Sequence, residues 1–215
     1  MLNITKTSKT GKKAILFMAF CLSSFILLLG SCSESDNTVE EFPDWQNTNA
    51  TYWDKLYSET QTKVNNGDSS WKIIKSYSIE DSLTSPNTDY IIVNVLTAGI
   101  GSGCPIYSDS VRVRYTGQLL PSTSYSDGYT FDTTNKNGAS NATAGVADFN
   151  VSGLTTGFAT ALQHMHIGDE WEVYIPWTLA YGESGSGSIP GYSVLKFKIQ
   201  LIAYARAGTS LPPFK

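Results

Sequence analysis

The stretch VRVRYTGQL, residues 111–119, sets Val111, Val113 and Tyr115 on one side of an extended chain and Arg112 and Arg114 on the other. A clean period of two is the mark of a strand with one face buried and one face wet, the habit of antiparallel sheets. The same alternation returns at Phe149 and Val151, at Trp171, Val173 and Ile175, and at Leu195, Phe197, Ile199 and Leu201 set against Lys196, Lys198 and Gln200. WKIIKSY (71–77) and YIIVNVL (90–96) are rich in β-branched and aromatic residues and are separated by the turn-forming Ser85-Pro86-Asn87. Together these segments predict an antiparallel sheet with one wet face.

One helix interrupts the strands. Thr155 or Thr156 can cap it, Phe158, Ala161, Leu162 and Met165 give it an apolar stripe, and Gly168 ends it. The expected fold class is therefore α+β, a curved antiparallel sheet wrapped around one short amphipathic helix. Upstream, Trp53, Leu56, Tyr57, Thr60 and Val64 recur at helical spacing before Asn65-Asn66-Gly67, predicting an N-terminal helical extension that packs on the neighbouring domain.

The first residues are read as targeting rather than fold. Lys6, Lys9, Lys12 and Lys13 precede an apolar run from Ala14 to Leu29, and Leu29-Gly30-Ser31-Cys32 follows. A basic start, a short apolar segment and small residues describe a secretory signal, and the run is shorter than the ~20 residues a membrane span needs. The Cys after Leu-Gly-Ser resembles the lipobox of bacterial lipoproteins, which implies acylation of Cys32 and a membrane-tethered protein; two or three acyl chains hold stably where one is marginal. Ser33, not Asp, follows that Cys, so the outer membrane of the cell envelope is the expected address. The expected organisation is a lipoprotein signal peptide over 1–31, an acidic flexible tether over 32–48 and the helical extension with a connecting strand over 49–87. A main domain over 88–206 and a tail over 207–215 complete it.

Charge and cysteine usage narrow the function. Four of the 15 basic residues leave with residues 1–31, so 11 face 19 acids, a net charge near −8 that argues against nucleic acid. Cys104 is then the only thiol in the folded part, flanked by Gly103 and Pro105 with no positive neighbour to activate it, and is expected to be structural. His164 and His166 are the only histidines, and two positions apart on a helix they diverge, so neither a metal site nor a Ser/His hydrolase is expected. No Gly-rich phosphate loop follows a strand, and no cofactor is implied.

What remains is a stock of aromatics at strand ends and loop edges: Tyr115, Phe131, Phe149, Phe158, Tyr181 and Phe197, with Asp132 directly after Phe131. VRVRYTGQL, YTFDTT, GLTTGFATALQHMHIGDEW, IPWTLAYG, Ile189-Pro190 and VLKFKIQL occur in the order and approximate spacing of the FKBP-type peptidyl-prolyl cis-trans isomerases. The chain resembles that family from about Asp89 to Tyr204, more than half its length. The resemblance implies an FKBP-like fold and an isomerase acting on proline-containing polypeptides, with inhibition by macrolides as a corollary. It implies Tyr115, Asp132 and Tyr181 as catalytic residues, and Phe131, Phe149, Leu154, Thr155, Phe158, Ile189 and Phe197 as substrate-binding residues. In the family the helix aromatic floors the pocket, the Tyr of Ala-Tyr-Gly donates to a substrate carbonyl, and the backbone N–H at the position of Thr155 meets another. Core packing alone accounts for most of these aromatics. Asp132 discriminates, because a carboxylate beside an apolar cluster is costly to bury unpaired.

Departures from the family pattern are legible too. Phe158 stands where well-known members have Trp, Thr155 where Ile is usual, and the loop QLLPSTSYSDGYT (118–130) is longer than in compact members. TTNKNGASNATAGVAD (133–148) reads as a mobile loop beside the pocket. IPWTLAYGESGSGSIP (175–190) reads as a strand end, a carbonyl donor at Tyr181 and a mobile flap without bulky side chains. These changes admit a second function on the same fold, a binding module or chaperone for Pro-containing segments with little turnover.

Overall fold

The computed structural model describes residues 39–80, 82, 84–136 and 145–214. The signal segment, Cys32 and residues 33–38 of the expected tether lie outside these residues, as does the centre of the 133–148 loop.

Among the described residues the expected segments become β1 (Trp71–Lys75), β2 (Tyr90–Thr97), β3 (Ser110–Gln118), β5 (Ala147–Asn150), β6 (Glu170–Ile175) and β7 (Leu195–Ala205), and β4 (Thr130–Thr133) is a strand that the alternation did not reveal. All pair antiparallel in one open sheet of order β1-β2-β6-β7-β3-β4, with β5 also on β3. β3 organises the sheet. One of its edges runs along β7 from Ser110 to Gln118, while the other carries β5 at Ser110–Val113 and β4 at Thr116–Gln118. Register shifts at Arg112/Val113 against β7 and at Gly117/Gln118 against β4 are bulge-like irregularities of the kind that bend and twist a strand.

The single wet face holds for only half of the sheet. On β7 and β3, Lys196, Lys198, Gln200, Arg112 and Arg114 stay at least partly exposed between buried neighbours. On β2, three successive residues, Ile91, Ile92 and Val93, have no exposed surface, so both faces are covered there. The cover is helix α1 (Trp45–Asn65), whose Trp45 and Trp53 join the core and whose Tyr52 ring lies 6.4 Å from Tyr174 of β6. Trp53 and Thr60 are buried as the helical spacing predicts, but Val64 is 40% exposed and packs on nothing central. The helix also starts earlier than the spacing suggests, so residues 45–48 of the expected tether are its first turn. That turn is tied down by the Trp45 indole N–H donating to Ser193 Oγ at 2.8 Å and by Asn49 Oδ1 accepting from the Val194 N–H at 2.7 Å. Tertiary bonds of this kind outweigh the weak local helix signal of WQNT.

Helix α2 spans Thr156–Leu162, only seven residues. Its last turn tightens: His164 N–H donates to Ala161 O and Met165 N–H to Leu162 O, so Met165 reaches the core from a turn. His164 and His166 accordingly sit beyond the helix. Gly157 through Leu162 are all buried, a fuller enclosure than an amphipathic stripe requires. Gly157 makes this possible, because a Cβ there would lie 2.3 Å from Ile175 Cγ2 of β6. Val151, expected in a strand with Phe149, lies instead in a 3-10 turn, Val151–Gly153, that leads into α2.

Candidate active site

The ten residues singled out in the sequence surround one cavity of about 450 Å³: Tyr115, Phe131, Asp132, Phe149, Leu154, Thr155, Phe158, Tyr181, Ile189 and Phe197. The sheet order brings them together. β3 presents Tyr115, β4 presents Phe131 and Asp132, β5 presents Phe149, and β7 presents Phe197 opposite Gly117 of β3. Phe158 projects from the first turn of α2, and Ile189 returns from the loop after β6.

The rings form an edge-to-face box. Phe158 and Phe197 have centroids 5.0 Å apart at 88°, Phe131 and Phe197 5.5 Å apart at 86°, and Tyr115 and Phe158 6.0 Å apart at 85°. Such T-shaped contacts set the positive edge of one ring on the negative face of the next and add ~0.5–1.5 kcal/mol beyond area burial. Phe158, Phe197 and Ile189 are almost wholly buried, at 5%, 5% and 7% exposure. Gly117 is a condition of the box. A Cβ on it would fall 2.6 Å from carbons of both Phe131 and Phe197, so the two rings meet over the bare backbone of β3.

Polar groups are few and placed at the rim. The Tyr115 hydroxyl donates to Asp132 Oδ2 at 2.5 Å. Burial, followed by this bond and the Asp132 charge, pushes the Tyr115 phenol well above its ordinary pKa, so it stays protonated and donating. Asp132 itself is exposed rather than sunk in the apolar cluster, because it lies on the solvent side of β4 and reaches back to the phenol. Tyr181 is 39% exposed, and its hydroxyl has no hydrogen-bond partner among the described residues. The Thr155 N–H, at the N-cap of α2, likewise meets no acceptor among them, and the Thr155 hydroxyl makes no capping bond. An apolar box with two uncommitted donors at its edge suits a ligand that is apolar in the middle and carries carbonyls on either side.

Comparison with known proteins agrees with that geometry. Residues 104–202 match the model of the FKBP-type peptidyl-prolyl cis-trans isomerase family. Over these residues the chain is similar to that family. The chain is 41% identical over 109 residues to the FKBP-type 22 kDa peptidyl-prolyl cis-trans isomerase of Escherichia coli strain K12, covering 50% of this chain and 47% of that protein. It is 41% identical over 114 residues to the outer membrane protein MIP of Legionella longbeachae, covering 53% and 43%. The chain thus spans about half the length of the relatives it matches. Among solved structures, FkpA of Escherichia coli superposes with a TM-score of 0.55 at 21% identity, covering 94% of this chain and 76% of that one, a likeness of fold.

Four further residues line the cavity and were not singled out in the sequence: Gly153, Ser186, Gly187 and Ser188. Small residues give no apolar or catalytic signal, and their only clue is position just before Leu154 and Ile189. The Gly182–Gly191 loop is also more built than its composition suggests. Ser186 and Ile189 exchange two backbone hydrogen bonds of 2.9 Å, and the Tyr192 N–H donates to Gly182 O at 3.0 Å. Its glycines serve close packing: Cβ atoms at Gly185 and Gly191 would come within 2.1 Å of Ile189 O and 1.8 Å of Glu183 O.

Away from the cavity, Cys104, His166 and Asp169 fall in a row. Cys104 Sγ lies 3.8 Å from His166 Nε2, and His166 Nδ1 lies 3.7 Å from Asp169 Oδ2. The order imitates a thiol catalytic chain, but burial and then the Asp169 charge push the Cys104 thiol up, away from thiolate. Asp169 is committed to structure, accepting from the Gly99 and His166 N–H groups at 2.6 Å each.

Proposed function

We propose that this chain is a peptidyl-prolyl cis-trans isomerase acting on exported, proline-containing polypeptides. The observation that carries the reading is the pairing of the aromatic box with two uncommitted donors, the Tyr181 hydroxyl and the Thr155 N–H. Rotation about an X–Pro bond faces ~18–20 kcal/mol because resonance holds the amide planar, and uncatalysed exchange takes tens to hundreds of seconds. No covalent bond breaks, so no nucleophile is needed. Twisting removes the resonance and its charge separation, so a dry apolar cavity favours the twisted amide over the planar one. The prolyl ring packs on Phe158 between Phe197, Phe131 and Ile189. Tyr181 and the Thr155 backbone hold flanking carbonyls, and the Tyr115–Asp132 pair fixes the rim. Each 1.36 kcal/mol gained selectively in the twisted state is tenfold in rate. A macrolide that fills the same cavity competes with the peptide.

The envelope setting rests on the lipobox resemblance at Cys32, the signal-like 1–31 segment and the naming of the Legionella longbeachae relative as an outer membrane protein. On this reading Cys32 carries the lipid in the outer membrane, and the residues between Cys32 and Glu40 are the tether. The domain limits are 88–206 for the isomerase, with α1 as its extension and 207–215 as its tail.

The test is a protease-coupled assay on a short X-Pro-Phe peptide. Acceleration at micromolar protein, abolished by a macrolide and reduced in Tyr181→Phe, supports the enzyme. Macrolide binding without acceleration points to a holding module instead.

A further inference from the structure

A second concavity, of about 520 Å³, adjoins the aromatic box, and the two share Gly187 and Ser188 as a common wall. Its remaining walls are Glu41, Phe42, Tyr125, Tyr129 and Pro190. None of these lies in the apolar set read as the proline site, and they come from three separate stretches. The long 118–130 loop supplies the two tyrosines, the segment before α1 supplies Glu41 and Phe42, and the flap supplies Pro190.

The groove is held open by specific bonds. Glu41 Oε1 accepts from the Ser122 hydroxyl at 2.5 Å and from the Ser124 N–H at 3.0 Å, and the Thr123 hydroxyl donates to Glu40 O at 2.9 Å. The loop is thereby pinned to the segment before α1, which in turn is anchored where Phe42 packs edge-on to Trp45 at 4.8 Å. Across the opening, the Ser193 hydroxyl receives the Trp45 indole N–H and donates to Pro190 O at 2.6 Å, tying the flap to the same helix. Tyr125 and Tyr129 stack edge to face at 5.0 Å, with Tyr125 43% exposed. The lining carries one charge, the Glu41 carboxylate. Its hydrogen bonds to Ser122 and Ser124 hold it below the usual carboxylate range, so it is ionised at neutral pH.

Aromatic faces beside a fixed carboxylate are the surroundings that suit a cation, through the ring quadrupole and the opposite charge together. Gly187 and Ser188 carry no bulky side chain, so a polypeptide whose proline occupies the box can pass over them into this groove. We propose that the groove is a specificity subsite for an Arg or Lys side chain of the bound polypeptide, a few residues from its proline. The inference rests on the isomerase reading for the placement of the proline. It gives the long loop and the α1 extension a shared task, which is to select basic segments among the proline-containing chains.

The experiment uses fluorescent peptides with one Ala-Pro core and either Arg or Leu placed in turn two, three or four residues to each side. Dissociation constants are read by anisotropy, and exchange at the proline by protease-free NMR. At one position or more, Arg is expected to bind at least about fivefold tighter than Leu. Glu41→Gln, which keeps an oxygen for Ser122 and Ser124 but removes the charge, is expected to bring the ratio to about one. Exchange of the Leu peptide should stay equal in wild type and variant. Equal affinities at every position in the wild type, or a preference that survives Glu41→Gln, overturns the proposal. Binding with the Arg preference but without accelerated exchange removes the isomerase reading and leaves the subsite standing, while no binding of any peptide overturns both.

Discussion

Among the described residues, the aromatic cavity and the Cys104–His166–Asp169 row both hold chemically capable side chains, and of these two the cavity is free to act. The aromatic cavity keeps two donors, the Tyr181 hydroxyl and the Thr155 N–H, without partners among the described residues, beside rings that only an apolar guest can satisfy. The Cys104–His166–Asp169 row has the residue types of a catalytic chain, yet its carboxylate is consumed by the Gly99 and His166 amides and its thiol is held protonated. The difference teaches that residue type and proximity do not make a site. Uncommitted hydrogen-bonding capacity beside a void does, because a ligand gains most where the protein has left a partner unsatisfied.

Phe158→Ala carries the largest expected effect. Removing the cavity floor is expected to cost ~3–5 kcal/mol of stability, as buried Phe truncations do, and to abolish the proposed prolyl isomerisation. Chemical denaturation and the coupled peptide assay check the two effects. Gly117→Ala comes next. Its new Cβ forces Phe131 and Phe197 apart, at ~1–3 kcal/mol for overpacking, and weakens peptide binding without touching any polar group. Native binding with unchanged stability would show that the two rings are not a fixed wall.

Tyr181→Phe isolates the uncommitted donor. One neutral hydrogen bond of ~0.5–1.5 kcal/mol sets the expected loss in kcat/KM at about three- to tenfold, with the fold intact by circular dichroism. A smaller effect belongs to Tyr115, whose folded-state pKa is raised. Its contribution to stability is therefore fully present below the unfolded tyrosine value near 10 and is lost as pH rises through the higher folded value. Ultraviolet titration of wild type and Tyr115→Phe should coincide through pH 10 and separate only above it. At the bottom of the scale, Cys104→Ser and His166→Ala are expected to leave turnover within about twofold. A loss of tenfold in either would erase the distinction between the two clusters.

The strands and the candidate site were legible to different depths. Period-two alternation exposed β3, β6 and β7 directly, since burial of one face imposes it residue by residue. Asp132 stood out for its place after Phe131, but its exposure and its bond to Tyr115 were not legible, because nothing local says which face of a short edge strand meets solvent. The early start of α1 was hidden as well. WQNT has little helical character, and its helix rests on Trp45 and Asn49 bonding to residues some 145 positions later. The glycine- and serine-rich loop read as freedom, whereas Gly185 and Gly191 are where the chain packs against its own carbonyls.

Alternation and capping in the sequence point to the antiparallel strands and the short helix, and the family resemblance supplies the set of ten residues that ring the cavity. Only the folded chain sets α1 against the sheet, completes the cavity wall with Gly153, Ser186, Gly187 and Ser188, and brings Glu41, Tyr125 and Tyr129 into the lining of a second concavity. The physical reason is range. Alternation and capping are local consequences of burial and backbone geometry, while a void is defined by which distant segments the strand order sets face to face.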